Sequence, residues 1–136
     1  MKKLIVGLFA ALLMGTGLVA FTDGAAVAAC PYTGCIDTST DAGGQHVVRR
    51  GSRPSTIVRV FTAGNGQPKG TVFVTYERVK GGFSKTVTVG YHGHSVSFKG
   101  PVLTKTGKYK VVAHFSPKSG SPWSPSQDSY GLKVRR

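Results

Sequence analysis

The side chains in this sequence that could do chemistry are few, and their spacing argues against most of it. Cys30 and Cys35 are its 2 cysteines. They bracket Pro-Tyr-Thr-Gly, a turn-forming insert, and in an oxidising compartment are expected to close a local disulfide loop. This spacing is not the Cys-x-x-Cys of redox or zinc sites, so neither role is expected. His92 and His94 flank Gly93 at a turn and could offer imidazoles to copper or zinc. A closed site takes three or four ligands, however, and the sequence does not bring His46 and His114 beside them. Neither a metal nor a cofactor is expected. Serines abound, but nucleophilic catalysis needs a base and an orienting group beside the nucleophile. No Gly-x-Ser-x-Gly elbow or Ser-x-x-Lys occurs, and Gly93-His94-Ser95-Val96-Ser97 fails at its last position. Glycoside hydrolysis needs two opposed carboxylates. With Asp37 and Asp41 in the tether expected after the cysteine loop, only Glu77 and Asp128 could pair. No catalytic residue and no small-molecule substrate is therefore expected, and the chain reads as a non-enzyme.

What is abundant is positive charge. The 136 residues hold 18 Lys and Arg against 5 Asp and Glu, a formal net charge of +13. Such an imbalance attracts polyanions over long range and says nothing about fold. Lys108 and Lys110 alternate with apolar residues, and so do Lys133 and Arg135. If those two segments are paired strands, the four form one basic stripe, to which Lys105 and Arg136 could add. A charged outer face can simply protect a sheet from aggregation. It can also contact anionic envelope polymers such as teichoic acids, acidic polysaccharide or lipid headgroups. Nucleic acid would bind at low salt by counterion release, but no specific nucleic-acid partner is expected because the stripe lacks base-stacking aromatics.

The elements that must carry this stripe follow from the pattern of the chain. Met1-Lys2-Lys3, the apolar run Leu4 to Phe21 and the small residues before Cys30 have the order of a secretory signal peptide over residues 1–29. Val27-Ala28-Ala29-Cys30 also resembles a lipobox, in which Cys30 would be acylated and the protein tethered to a membrane. Residues 30–45 read as the cysteine loop followed by a polar, glycine-rich tether, or alternatively a loosely paired first edge strand. Residues 46–136 read as one β domain. Val47 and Val48 begin it, and Ser55 to Thr62 follows with Val58 and Val60 facing in. Thr71 to Val79 alternates Val72, Val74 and Tyr76 against Phe73, Thr75 and Glu77. Phe83 to Tyr91 shares Val87, Val89 and Tyr91 on one face. His92-Gly93 turns the chain into His94 to Lys99, and Ser116 to Gln127 is a Ser/Pro/Gly loop holding Trp123. Tyr130, Leu132 and Val134 lie inward on a closing strand.

The organising strand is Thr106 to Phe115, where Tyr109, Val111, Ala113 and Phe115 share one face at period two. Gly107, then Lys108, then Tyr109 resembles the tyrosine corner of immunoglobulin-like sandwiches, whose phenol bonds backbone a few residues upstream. In all, about seven short strands and no helical periodicity after the signal argue an all-β, antiparallel sandwich. From about Val47 to Val134 the chain resembles a bacterial immunoglobulin-like domain of secreted or surface proteins. The matching features are Gly66-Gln67-Pro68-Lys69-Gly70-Thr71-Val72 and Thr106-Gly107-Lys108-Tyr109-Lys110-Val111. The start Cys30-Pro31-Tyr32-Thr33-Gly34-Cys35-Ile36 is similar to that of secreted actinobacterial proteins carrying one such domain. Val111 stands where antibody domains place their second core cysteine, so the inter-sheet disulfide is absent. The resemblance implies a non-catalytic interaction or structural protein, secreted or associated with the cell envelope. Its partners would be anionic envelope polymers or another surface protein. The alternative is a lipoprotein anchored through Cys30 on the outer face of the membrane.

Overall fold

The computed structural model describes residues 34–136, and the signal peptide expected over residues 1–29 and Cys30 lie outside the described residues. Eight strands are present in chain order: β1 Thr38–Gly44, β2 Val47–Arg49, β3 Ser55–Thr62, β4 Lys69–Arg78, β5 Ser84–His92, β6 Val96–Lys99, β7 Gly107–Pro117 and β8 Ser126–Arg135. They form a three-stranded sheet, β1-β3-β6, and a five-stranded sheet, β2-β8-β7-β4-β5. Lettered as in immunoglobulin domains, these are A-B-E and A′-G-F-C-C′, with C′ beside C as in the variable type and no D strand among the described residues. The fold is an immunoglobulin-like β-sandwich.

The alternation in the sequence explains the layers. Each central strand turns every second side chain inward: Thr56, Val58 and Val60 of β3; Val72, Val74 and Tyr76 of β4; Tyr109, Val111, Ala113 and Phe115 of β7; Leu132 and Val134 of β8 are all buried. These residues make a single core between the sheets, which Leu103 joins from the loop between β6 and β7. Tyr91 and Phe115 meet edge to face with ring centres 5.7 Å apart. Burying side chains of this size stabilises by about 1.5–3 kcal/mol each, so a shift of register by one residue, which would turn β7 inside out, is excluded.

Three features depart from the sequence reading. Residues 38–44, expected as a tether or a loosely paired first edge strand, form β1, an edge strand as in the second of these but paired with β3 along its whole length, from Thr38↔Thr62 to Gly44↔Thr56. This makes eight strands rather than about seven and starts the sandwich well before residue 46. The inward residues of β1 are Thr40 and Ala42, too small and polar to print a hydrophobic pattern. They are held instead by hydrogen bonds across to β8, Thr40 to the Ser126 hydroxyl at 2.7 Å and the Ala42 amide to Asp128 Oδ2 at 2.9 Å. The second of these occupies a backbone amide on the free edge of β1, and Gly44 lets the strand pass close to Ser55 and the Tyr130 hydroxyl. Second, the sheet is not wholly antiparallel, because β2 runs parallel to β8. Third, the turn at His92-Gly93 makes no hairpin. It carries the chain across to the other sheet, where β6 pairs with β3.

β3 extends beyond β6, and Tyr91 engages one residue of the excess, Val60. The Val60 amide donates to its hydroxyl at 2.8 Å, and that hydroxyl is 3.4 Å from the Val60 carbonyl. A phenol thus occupies edge groups that would otherwise invite another strand. The loop before β8 is tied down similarly, with Ile36 bonded to Pro122 and Ser124 at 2.8 and 2.9 Å.

Candidate functional site

The hairpin of β7 and β8 fixes the outer face of the large sheet. Lys108 lies opposite Lys133 and Lys110 opposite Gly131. Because Tyr109 and Leu132, also opposite one another, are buried, both lysine rows point to solvent. β2 then adds a row that the sequence did not disclose: Val47 lies beside Lys133, and Arg49 beside Arg135. The four residues expected to form a stripe, Lys108, Lys110, Lys133 and Arg135, are thus placed on one face and joined by Arg49. Farther along the same strands the rows carry no Lys, Arg, Asp or Glu: Thr75, Val112 and Ser129 in one, Phe73, His114 and Gln127 in the next. Glu77, opposite Lys110, is the acid of this face.

The hinge that delivers β7 to this position is the corner before it. Gly107 has a φ of 134°, a conformation open to glycine and strained for other residues. Two residues on, the Tyr109 hydroxyl donates to the Lys105 carbonyl at 2.7 Å, bracing the corner, while the ring packs edge-on against Phe83. Burial raises the pKa of this phenol, partly countered by the nearby Arg78 cation and the bond to Lys105. Lys105 itself points elsewhere, its ammonium donating to the Gly82 carbonyl at 2.8 Å.

Within the basic face lies a groove of about 500 Å³, bounded by His46, Val79, Lys108, Lys110, Gly131 and Lys133. Its floor is Gly131, where a side chain is missing from the outward row. His46 stands at the side, with Nδ1 donating to the Gly131 carbonyl at 3.1 Å and its ring edge-on to Tyr130 at 5.8 Å. Neither His46 nor Val79 is marked in the sequence as part of a site. Gly131 is the one legible signal, a glycine interrupting the outward alternation of a strand.

The other candidate chemistries are placed apart. Among the described residues no group of three or more His, Cys, Asp and Glu could hold a metal ion. Asp128 is engaged by the Ala42 amide on the β1 side, whereas Glu77 lies on the outer face. Cys35 is not a free thiol, but Cys30 lies outside the described residues. Among those residues no helix is long and apolar enough to cross a membrane.

No protein-family model and no curated protein sequence matches this chain. Solved structures similar to it include the CARDB domain of the PF1109 protein from Pyrococcus furiosus, in complex with di-metal ions. That likeness has 18% identity and a TM-score of 0.48, covering 76% of this chain and 96% of that one. Another is β-glucosidase from Listeria innocua in complex with glucose, at 11% identity and a TM-score of 0.47, covering 74% of this chain but 16% of the enzyme. Likenesses at this level carry no argument about activity, and the fold stands on the strand order above.

Proposed function

We propose that this protein is a non-catalytic, exported immunoglobulin-like module of the cell envelope whose basic outer face binds anionic polymers. The observation that carries this reading is the opposition of like charges, Lys108 to Lys133 and Arg49 to Arg135, in neighbouring rows. Like charges directly opposite one another on a sheet destabilise it, and a polyanion laid across them removes that penalty and gains attraction. A face kept merely soluble would be served equally by mixed charges. Export rests on the composition of residues 1–29, and a disulfide between Cys30 and Cys35 on the turn-forming residues between them.

The test is to replace Lys108, Lys110, Lys133 and Arg135 together by serine and measure binding to an anionic envelope polymer across a salt series. The unsubstituted protein is expected to bind with a steep salt dependence, as counterion release requires, and the variant to lose about 100-fold at low salt. Unchanged binding overturns the proposal.

A second reading, a lipoprotein presenting the same face from a membrane, is favoured by Val27-Ala28-Ala29-Cys30. Intact mass of the protein from its host separates the two. A chain starting at Cys30 and short of two hydrogens, restored on reduction, supports secretion with a Cys30–Cys35 bridge. A diacylglycerol-sized excess on Cys30 supports the tether.

A further inference from the structure

β8 turns Ser129, Gly131, Lys133 and Arg135 outward, and only at 131 is a side chain missing. Nothing in the fold requires this. A Cβ at Gly131 would meet no atom within 4 Å, and Gly131 is not among the glycines with positive φ. A glycine inside a strand weakens it, and besides bulges and tight bends its setting is a place where a ligand or another backbone approaches closely. The missing side chain opens the groove of about 500 Å³, within the range of about 300–1,000 Å³ common to small-ligand sites.

The walls differ in character. Val79, 65% exposed, supplies apolar surface, and Lys108, Lys110 and Lys133 set cations around the rim. Since His46 Nδ1 is taken by the Gly131 carbonyl, Nε2 is the ring nitrogen that can meet a ligand hydroxyl. A bare phosphate chain needs the cations alone and gains nothing from a hollow with an apolar wall. A sugar ring bearing a carboxylate uses all three features, its C–H face against Val79, its hydroxyls toward His46 and its anion at the lysines. We infer that the groove over Gly131 seats one ring of an acidic polysaccharide, with the Lys108/Lys133 and Arg49/Arg135 rows receiving the neighbouring charges of the same chain. This rests on the proposed polyanion-binding role and specifies which polyanion is bound.

Two polymers of similar charge serve as probes, polygalacturonate, which has rings, and inorganic polyphosphate, which has none. Gly131→Val fills the groove without changing charge. It is expected to weaken polygalacturonate binding by about tenfold or more while leaving polyphosphate within about twofold. Val79→Ser, at an exposed position away from the core, is expected to weaken the glycan by about threefold and polyphosphate not at all, and it decides the matter if Gly131→Val fails to fold. Equal loss of both polymers, or loss of neither, in these variants overturns the groove inference. The fourfold serine variant keeps the two readings distinguishable. If it weakens both polymers while the groove variants weaken neither, the basic face stands and the ring site falls. If it weakens neither, both fall.

Discussion

Between the sheets, the Thr56 hydroxyl serves two phenols at once, Tyr76 at 2.6 Å and Tyr130 at 2.8 Å. On the outside of the large sheet, Lys108 faces Lys133 and Arg49 faces Arg135. In the first region each polar group finds its complement inside the fold. In the second, like groups are set against each other, with Glu77 opposite Lys110 as a counter-charge, and under the proposed function a bound polyanion supplies the rest of the complement. The outer face of the small sheet shows that opposed like charges are no general habit of this chain, because there Arg59 lies opposite Asp41. The interior cluster is expected to contribute to stability and the opposed cations to subtract from it, the balance that the proposed binding role predicts.

The comparison breaks most visibly at Thr56. Thr56→Val keeps the shape and removes the shared hydroxyl, leaving the fully buried Tyr76 phenol without its partner. A loss of about 2–3 kcal/mol in chemical denaturation is expected, and a neutral result would show that the cluster contributes nothing.

The same cluster sets the response to alkali. Burial pushes the Tyr76 pKa up to about 12, with the Thr56 bond opposing that rise and nearby Tyr130 adding to it. Burial raises Tyr130 as well. A phenol in the unfolded chain ionises near its ordinary value of 10, before the folded one does, so the unfolded state holds fewer protons between about pH 10 and 12. Stability should be intact below pH 10 and fall through that window. Tyr76→Phe should flatten the fall, and an unchanged pH profile would remove Tyr76 as its cause.

Tyr109→Phe tests the corner that aims the hairpin. Loss of the bond to the Lys105 carbonyl should cost about 1 kcal/mol, read as a lower denaturation midpoint with unchanged slope, and a neutral substitution contradicts the bracing role. The smallest effect has the opposite sign. Lys133→Thr relieves the opposition to Lys108 and should stabilise by about 0.2–1 kcal/mol at low salt, the gain fading as salt screens the pair. A destabilised variant would show that the lysines support the sheet.

Much of this architecture is legible in the chain, and the failures share a cause. The inner faces of β3, β4, β7 and β8 follow from strict alternation of bulky residues, and so does the exposure of Lys108, Lys110, Lys133 and Arg135. β1 is less legible because Thr40 and Ala42 carry no hydropathy signal and its place is set by partners such as Ser126 and Asp128, far along the chain. Arg49 is hidden for the same reason: a three-residue strand pairing in parallel with β8 leaves no local trace. The groove combines both difficulties, drawing His46, Val79 and Gly131 from separate elements.

The measurement that bears most directly on the account is amide chemical-shift mapping of the isotope-labelled protein during titration with an acidic polysaccharide at low salt. The predicted result is a contiguous patch of perturbed amides on β7, β8 and β2, centred on Lys108, Gly131, Lys133 and Arg49, with Arg59 and Asp41 on the opposite sheet unmoved. Perturbations spread evenly over both faces, or centred on the small sheet, would contradict it.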